Sequence, residues 1–259
     1  SREMLKIAVI GALGKMGSEV VRAVSEDPAL ELAAAIDPLM TGEYPIPGIV
    51  TGRDVRCIEG RGIEVGVDFT DAASSVTSTL WALENGIHMV IGTTGIGADG
   101  LSRIERAAGQ GVANALIAPN FALGAVLMMK FAREAAAVFD QCEVVELHHR
   151  EKKDAPSGTA IMTAEQVARV MRASNVPGAE EQRVTGSRGG EVGPVRIHSV
   201  RLNGFVARQE VIFGSTGQTL TVTHDTTDRS CFMPGVLMAV KAVSGLPGLT
   251  IGLEALLPG

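Results

Sequence analysis

The residues best suited to chemistry lie in one segment, Glu146-Leu-His-His-Arg-Glu-Lys-Lys-Asp-Ala-Pro-Ser-Gly-Thr159. It packs His148, His149, Arg150, Lys152 and Lys153 into six positions and closes on Pro-Ser-Gly-Thr. Two histidines and a lysine can give or take protons. The run before them, 142–147, reads as a strand, and the run after, 160–171, carries apolar residues at helical spacing. The basic cluster therefore falls on a strand-to-helix turn. Backbone N–H groups near Gly158 and Thr159 open that helix, where the dipole favours an anion. Cations facing such a helix start make a receptor for carboxylates or phosphates. The plainer reading is a solvated basic loop before an ordinary capped helix. Adjacent histidines, a lysine and a Gly-Thr helix start together weigh against it.

The elements that must position this segment follow from periodicity. Residues 5–10 form an apolar strand that runs into Gly11-Ala-Leu-Gly-Lys-Met-Gly17 and a helix over 15–25. A second strand, 31–36, ends at Asp37, and 38–62, with three prolines and several glycines, reads mostly as loop. Strands at 65–70, 88–91 and 112–118 alternate with helices at 72–85 and 98–109, which implies βαβ units and a parallel sheet. A long helix over 122–139 then leads to the strand before His148. After the 159–173 helix, residues 174–194 are Gly-rich and polar. Strands at 194–202, 206–213 and 218–224 follow, and Asn203-Gly204 between the first two signals a hairpin. A last helix, 232–244, precedes a tail, 249–257, that could return to the first sheet.

Gly11, Gly14 and Gly17 sit where a first strand-to-helix turn would take a pyrophosphate onto the helix opened by Lys15. The spacing is Gly-x-x-Gly-x-x-Gly, with Leu13 where the usual fingerprint has its second glycine. Asp37, twenty residues after Gly17, stands where an acid binds ribose hydroxyls. Asp37 would repel a 2′-phosphate and Lys15 could offset that repulsion, so NADH and NADPH both stay open. Gly92-Thr-Thr-Gly95 and Ala118-Pro-Asn-Phe121 each follow a parallel strand, at the edge where ligands of open α/β sheets bind. Each is also compatible with simple turn chemistry.

Composition removes several functions. The 259 residues are 46% hydrophobic and 20% charged, enough for a large core. A net charge of −6 argues against a general nucleic-acid surface, and 3% aromatic residues leave few stacking platforms. No signal peptide or membrane span is expected, and a reducing cytoplasm fits. Cys57, Cys142 and Cys231 are odd in number, distant in sequence and without a Cys-x-x-Cys pair, so neither a disulfide framework nor a zinc site is expected. The His148-His149 pair is a weak metal candidate, because adjacent strand residues point to opposite faces.

Taken in order, Gly11-Ala-x-Gly-Lys-Met-Gly17, Asp68-Phe-Thr70, Gly92-Thr-Thr-Gly95, Ala118-Pro-Asn-Phe121 and Glu146-x-His-His-x-x-Lys-x-Asp-Ala-Pro-Ser-Gly-Thr159 resemble the dihydrodipicolinate (4-hydroxy-tetrahydrodipicolinate) reductase family over essentially the whole chain. The His-His to Ser-Gly-Thr segment is specific; the glycine turn is not. The resemblance implies NAD(P)H-dependent reduction of a cyclic imine dicarboxylate in diaminopimelate and lysine biosynthesis. It makes His148 the proton donor and acceptor and Lys152 a proton donor. It places His149, Gly158 and Thr159 on the substrate. It places Gly11, Ala12, Leu13, Gly14, Lys15, Met16, Asp37, Gly92, Thr93, Thr94, Ala118, Pro119, Asn120 and Phe121 on NADH or NADPH. Family members with an Arg in or after the glycine turn use it for the NADPH phosphate; here Lys15 and Pro38 stand there instead. Glu151 and Lys153 receive no role.

The implied architecture is α/β: a Rossmann-type parallel-sheet dinucleotide-binding domain, 1–121 with 229–259, and an inserted α+β domain, 122–228. The insert would be an open mixed sheet with helices on one face, serving substrate binding and homotetramer formation. Domain closure would hinge near Phe121 and Arg229. Two rivals stand beside this reading. One is an NAD(P)-dependent dehydrogenase of another small amino or imino acid. The other is a non-catalytic dinucleotide sensor, which would be expected to lose His148 or Lys152 while keeping the glycine turn.

Overall fold

The computed structural model describes residues 4–171 and 181–258. Part of the expected polar stretch 174–194, and the end of the helix expected to reach 173, lie outside the described residues. Contacts divide the chain into two units, Ser1–Leu123 with Phe232–Gly259, and Gly124–Cys231.

The first unit is built on β1 (Leu5–Ile10), β2 (Leu30–Ile36), β3 (Val50–Gly52), β4 (Val65–Asp68), β5 (His88–Ile91), β6 (Ala115–Ile117) and β12 (Leu249–Ile251). They form one sheet in the order β12-β6-β5-β4-β1-β2-β3, with every pair parallel. Its strands are covered on both faces, as a parallel sheet requires: all four residues of β4 are buried, and so are the last four of β1. The helices are α1 (Lys15–Glu26), α2 (Ala72–Glu84), α3 (Ala98–Ala108) and α6 (Met233–Ala242). In α1 the buried Val20, Val21 and Val24 recur at helical spacing. The tail does return, as β12 paired with β6. The strand β3 falls in a stretch expected to be loop. It has three residues, one of them glycine, and exists through its pairing with β2 from Ala34 to Ile36. Local propensity carries no signal for so short an edge strand.

The second unit holds α4 (Leu123–Ala136, which begins one residue before it), β7 (Gln141–His148), α5 (Gly158–Val170), β8 (Gly190–Val192), β9 (Val195–Arg201), β10 (Ala207–Ser215) and β11 (Gln218–Thr226). The strand order is β11-β10-β7-β9-β8. This corrects the hairpin expected at Asn203-Gly204. The strands β9 and β10 run in opposite directions but do not pair, because β7 lies between them, parallel to β9 and antiparallel to β10. Arg201 and Ala207 both stand opposite His148, so residues 202–206 must pass around the end of β7. That span is two interstrand spacings, about 10 Å, which a two-residue hairpin turn does not bridge. A hairpin does join β10 to β11, with Gly217 at φ +75°.

One face of this mixed sheet is covered. Cys142 and Val144 alternate inward on β7 and meet Phe213, Val211 and Ile197 on the neighbouring strands. The helix α5 packs on β7, β8 and β9, and its Thr163 hydroxyl accepts a 2.8 Å bond from the buried Gln209 of β10. Phe139, just after α4, stacks tilted on Phe213 at 5.8 Å.

Candidate active site

In the first unit the strand order reverses at β1 and β4, and the glycine turn sits at that switch point. Gly11 has φ +85°, and a Cβ there would lie 2.4 Å from the Phe69 carbonyl oxygen at the end of β4. A Cβ on Gly17 would lie 1.9 Å from the Gly11 carbonyl oxygen, so α1 can approach the turn only without a side chain. The N-cap residue of α1, Gly14, offers no side-chain hydrogen bond to the first-turn N–H groups. Leu13 and Lys15 are exposed and Met16 is half-buried. The first-turn N–H groups of α1 thus have no side-chain cap at Gly14, and a helix start of this kind can take an anion.

Asp37 is buried at the end of β2. Its carboxylate accepts the Leu13 N–H at 3.0 Å and the Leu39 N–H at 2.9 Å. It therefore braces the glycine turn. Beside it, Arg53 donates from Nε to the Pro38 carbonyl at 2.9 Å. Pro38, Arg53, Thr70, Ala73 and Ser74 line a cleft that begins at Ile10 and Ile36. Sequence reasoning missed Arg53 because it follows the unexpected strand β3.

The turns after β4, β5 and β6 are adjacent because those strands are neighbours. Asp68 is fully buried and accepts the Thr70 and Thr93 hydroxyls at 2.8 Å each. Burial pushes its carboxyl above the ordinary value, against the pull of those hydrogen bonds. The Thr93 hydroxyl also accepts the Thr70 N–H, so it is engaged inside the turn rather than facing outward. Thr94 and Pro119 are exposed, while Ala118 and Phe121 are buried, the latter tilted on Phe69 at 5.8 Å. A Cβ on Gly92 would lie 2.1 Å from the Phe69 ring.

In the second unit the 146–159 segment forms a single network. Glu146 continues the inward alternation of Cys142 and Val144 and is fully buried. Its two carboxylate oxygens accept the two terminal nitrogens of Arg201 at 2.9 Å each, the Ser157 N–H at 3.3 Å, and a short hydrogen bond with Nδ1 of His148. Arg201 also donates to the carbonyls of Asp154 at 2.7 Å and Val200 at 2.8 Å. Burial would raise the Glu146 carboxyl; Arg201, Ser199 and His148 outweigh it and hold the group below its ordinary value. Burial pushes the His148 imidazole below its ordinary value. Glu146 opposes that shift, and Lys152 and Arg201 add to it.

Lys152 spans both oxygens of the exposed Asp154 at 2.8 Å. His149 is exposed. Ser157 caps α5, accepting the Ala160 N–H at 3.2 Å. Gly158 opens onto space: a Cβ there would meet nothing within 4 Å. Thr159 is half-buried in the same turn, its carbonyl accepting the Thr163 hydroxyl at 2.7 Å. Glu146 and Arg201 were missed at the sequence level. A usable signal was a charged residue in register with core positions of an apolar strand, which requires a buried partner.

Sheet order, switch-point glycine turn and the buried acid that braces it define the class: an α/β protein with a dinucleotide-binding type of parallel-sheet unit and a second, mixed-sheet unit. Comparison with known proteins narrows that class. Residues 5–121 match the family model "Dihydrodipicolinate reductase, N-terminus", and 124–257 match "Dihydrodipicolinate reductase, C-terminus". The chain is 45% identical to the 4-hydroxy-tetrahydrodipicolinate reductase of Syntrophomonas wolfei, over 99% of this chain and 100% of the relative. It is 47% identical to that of Streptococcus gordonii, over 98% and 99%. A solved structure, dipicolinate-bound dihydrodipicolinate reductase from Paenisporosarcina sp. TG-14, superposes with a TM-score of 0.90 at 36% identity, covering 98% of this chain and all of that one. The chain belongs to the dihydrodipicolinate reductase family.

Proposed function

We propose that this chain catalyses NAD(P)H-dependent reduction of 4-hydroxy-tetrahydrodipicolinate, the reaction for which its full-length relatives are named. The observation that carries the reading is the arrangement in the second unit: an imidazole held by a buried carboxylate, on the same network as an open helix start at Gly158. A dicarboxylate ring needs cations and backbone donors for its charges. Gly158 and Thr159 supply the backbone donors, Lys152 a cation and His149 a ring nitrogen. The nicotinamide, when bound, supplies a hydride. Hydride addition to a conjugated imine leaves an electron pair that must meet a proton, and His148 or Lys152 delivers it. The exposed Asp154 keeps Lys152 near the site until a substrate carboxylate competes for it. That a solved relative carries dipicolinate, a planar pyridine dicarboxylate, supports a dicarboxylate site of this kind.

The cofactor residues are those of the glycine turn, 11–16, with Asp37, Gly92 to Thr94 and Ala118 to Phe121. We take NADH to be used at least as well as NADPH, because Asp37 disfavours a 2′-phosphate; Arg53 and Lys15 are the cations that would moderate this. The dinucleotide role belongs to the first unit and the substrate and homotetramer roles to the second. The test is oxidation of NADH and NADPH with freshly made 4-hydroxy-tetrahydrodipicolinate. Turnover is expected with the native chain, and a loss of roughly 10²–10⁴-fold in His148→Gln and in Lys152→Ala with the fold intact. Absence of turnover by folded native protein overturns the activity, and near-normal turnover in either variant removes that residue from the mechanism.

A further inference from the structure

We propose that Glu146 is the positioning residue for proton transfer: it fixes His148 as the Nδ1–H tautomer, presents Nε2 to the substrate, and is itself held by Arg201. The first support is placement. Glu146 and His148 are two residues apart on β7 and share the covered face of the sheet, so the carboxylate reaches Nδ1 along its own strand. The second is isolation. The Glu146 side chain is fully buried and that of His148 is 15% exposed. With Nδ1 bound to Glu146, Nε2 is the ring nitrogen left for a substrate. The third is the number of donors on one carboxylate. They come from β7, from β9 through both arms of Arg201, and from the start of α5 through the Ser157 N–H.

A buried ion pair is weak evidence for stability alone, since apolar residues of similar volume often serve as well. Here the pair has a geometric consequence that apolar residues could not give. The same carboxylate fixes the imidazole on β7 and the helix start that carries Gly158. It thereby sets the distance between the proton-transfer group and the substrate's carboxylate receptor. Arg201 extends the tie to the loop by donating to the Asp154 carbonyl, two residues from Lys152. The charged groups facing His148 are Glu146 from its own strand, Arg201 from β9 and Lys152 from the loop. Glu146 is the one anion among them, so it alone favours the imidazolium. A neutral imidazole whose Nδ1–H is bound to a carboxylate accepts a proton at Nε2 and returns it there, without turning the ring.

The inference rests on the reading that His148 moves the proton, and the two fail differently. Nitrogen-15 NMR of the native protein, with histidines labelled and His148 assigned through His148→Gln, reads the tautomer directly. Protonated Nδ1 and unprotonated Nε2 are expected above the imidazole pKa; the reverse tautomer overturns the proposal without any variant. In Glu146→Gln, a mixture of tautomers is expected, with kcat lowered about tenfold or more and NADH affinity unchanged. The alkaline limb of kcat/KM should move to lower pH by about one unit, because the anion that favoured the imidazolium is gone. Should that variant fold poorly, with Arg201 unpaired, Glu146→Gln/Arg201→Met removes both charges and should show the same mixture of tautomers, with a smaller displacement of the limb because Arg201 also disfavoured the imidazolium. An unchanged tautomer and an unchanged pH limb in a folded variant overturn the proposal, even where turnover falls. Full turnover in His148→Gln would instead remove the functional reading on which it stands.

Discussion

Because Asp37 accepts the N–H groups of Leu13 and Leu39, replacing it touches both the ribose site and the glycine turn. Asp37→Ala should weaken both dinucleotides and NADH more than NADPH, whereas Arg53→Ala should weaken NADPH more, as read by dissociation constants from nicotinamide fluorescence. A preference of the native chain for NADPH beyond about tenfold, roughly 1.4 kcal/mol, would mean that Lys15 and Arg53 dominate. Asp68 makes a prediction about pH. Its carboxyl is raised by burial, so its folded-state value lies above the unfolded one. Its contribution is full below the unfolded value and is lost as pH rises through the folded value. Asp68→Asn removes that dependence. In urea unfolding, stability relative to native protein should therefore shift in favour of the variant as pH rises above the ordinary carboxylate value; a constant difference would contradict the burial argument.

At the scale of elements, two glycines at helix starts make opposite predictions. Gly17 in α1 lies against the Gly11 carbonyl, a backbone atom that cannot move aside, so Gly17→Ala should destabilise the first unit and lose dinucleotide binding together. Gly158 in α5 faces open space, so Gly158→Ala should fold with native or slightly higher stability, given that alanine is favoured over glycine in helices by about 0.5–1 kcal/mol. A weaker grip on a dicarboxylate in that variant would then report contact rather than folding. Pyridine-2,6-dicarboxylate should inhibit, and pyridine-2-carboxylate should bind about tenfold more weakly or worse, since each charge-assisted hydrogen bond is worth about 1.5–3 kcal/mol. Equal inhibition by the two acids would remove the 148–159 segment as the substrate site.

For the whole molecule, a net charge of −6 makes the cationic 148–153 run a local exception. If the proposed site holds the anionic substrate, it does so on a basic segment of an otherwise acidic chain, and binding should weaken with salt. The uncovered face of the mixed sheet carries Val145, Leu147 and Ile212 half-buried among ion-paired side chains such as Glu143 with Arg188 and Arg208 with Glu210. A homotetramer formed through that face is expected as a particle of four chains by light scattering, and Ile212→Glu should dissociate it. A native monomer with full activity would separate assembly from function. Among the described residues, no helix is long and apolar enough to cross a membrane.

What the sequence determined by itself was what local chemistry dictates. Apolar periodicity placed α1, α2, α3 and the central parallel strands, because burial on one stripe or on both faces leaves a pattern. The glycine turn was legible because backbone conformation and close approach admit no other residue at Gly11 and Gly17. The His-His to Ser-Gly-Thr segment was legible because its groups are contiguous. Tertiary structure decided what depends on residues distant in the chain. The strand β3 is held by pairing with β2, and the Asn203-Gly204 turn leads around β7 rather than into a hairpin. Arg201 reaches Glu146 across 55 positions, and that contact orients His148. No window of sequence contains both partners of such a contact; it exists only once β9 is laid beside β7.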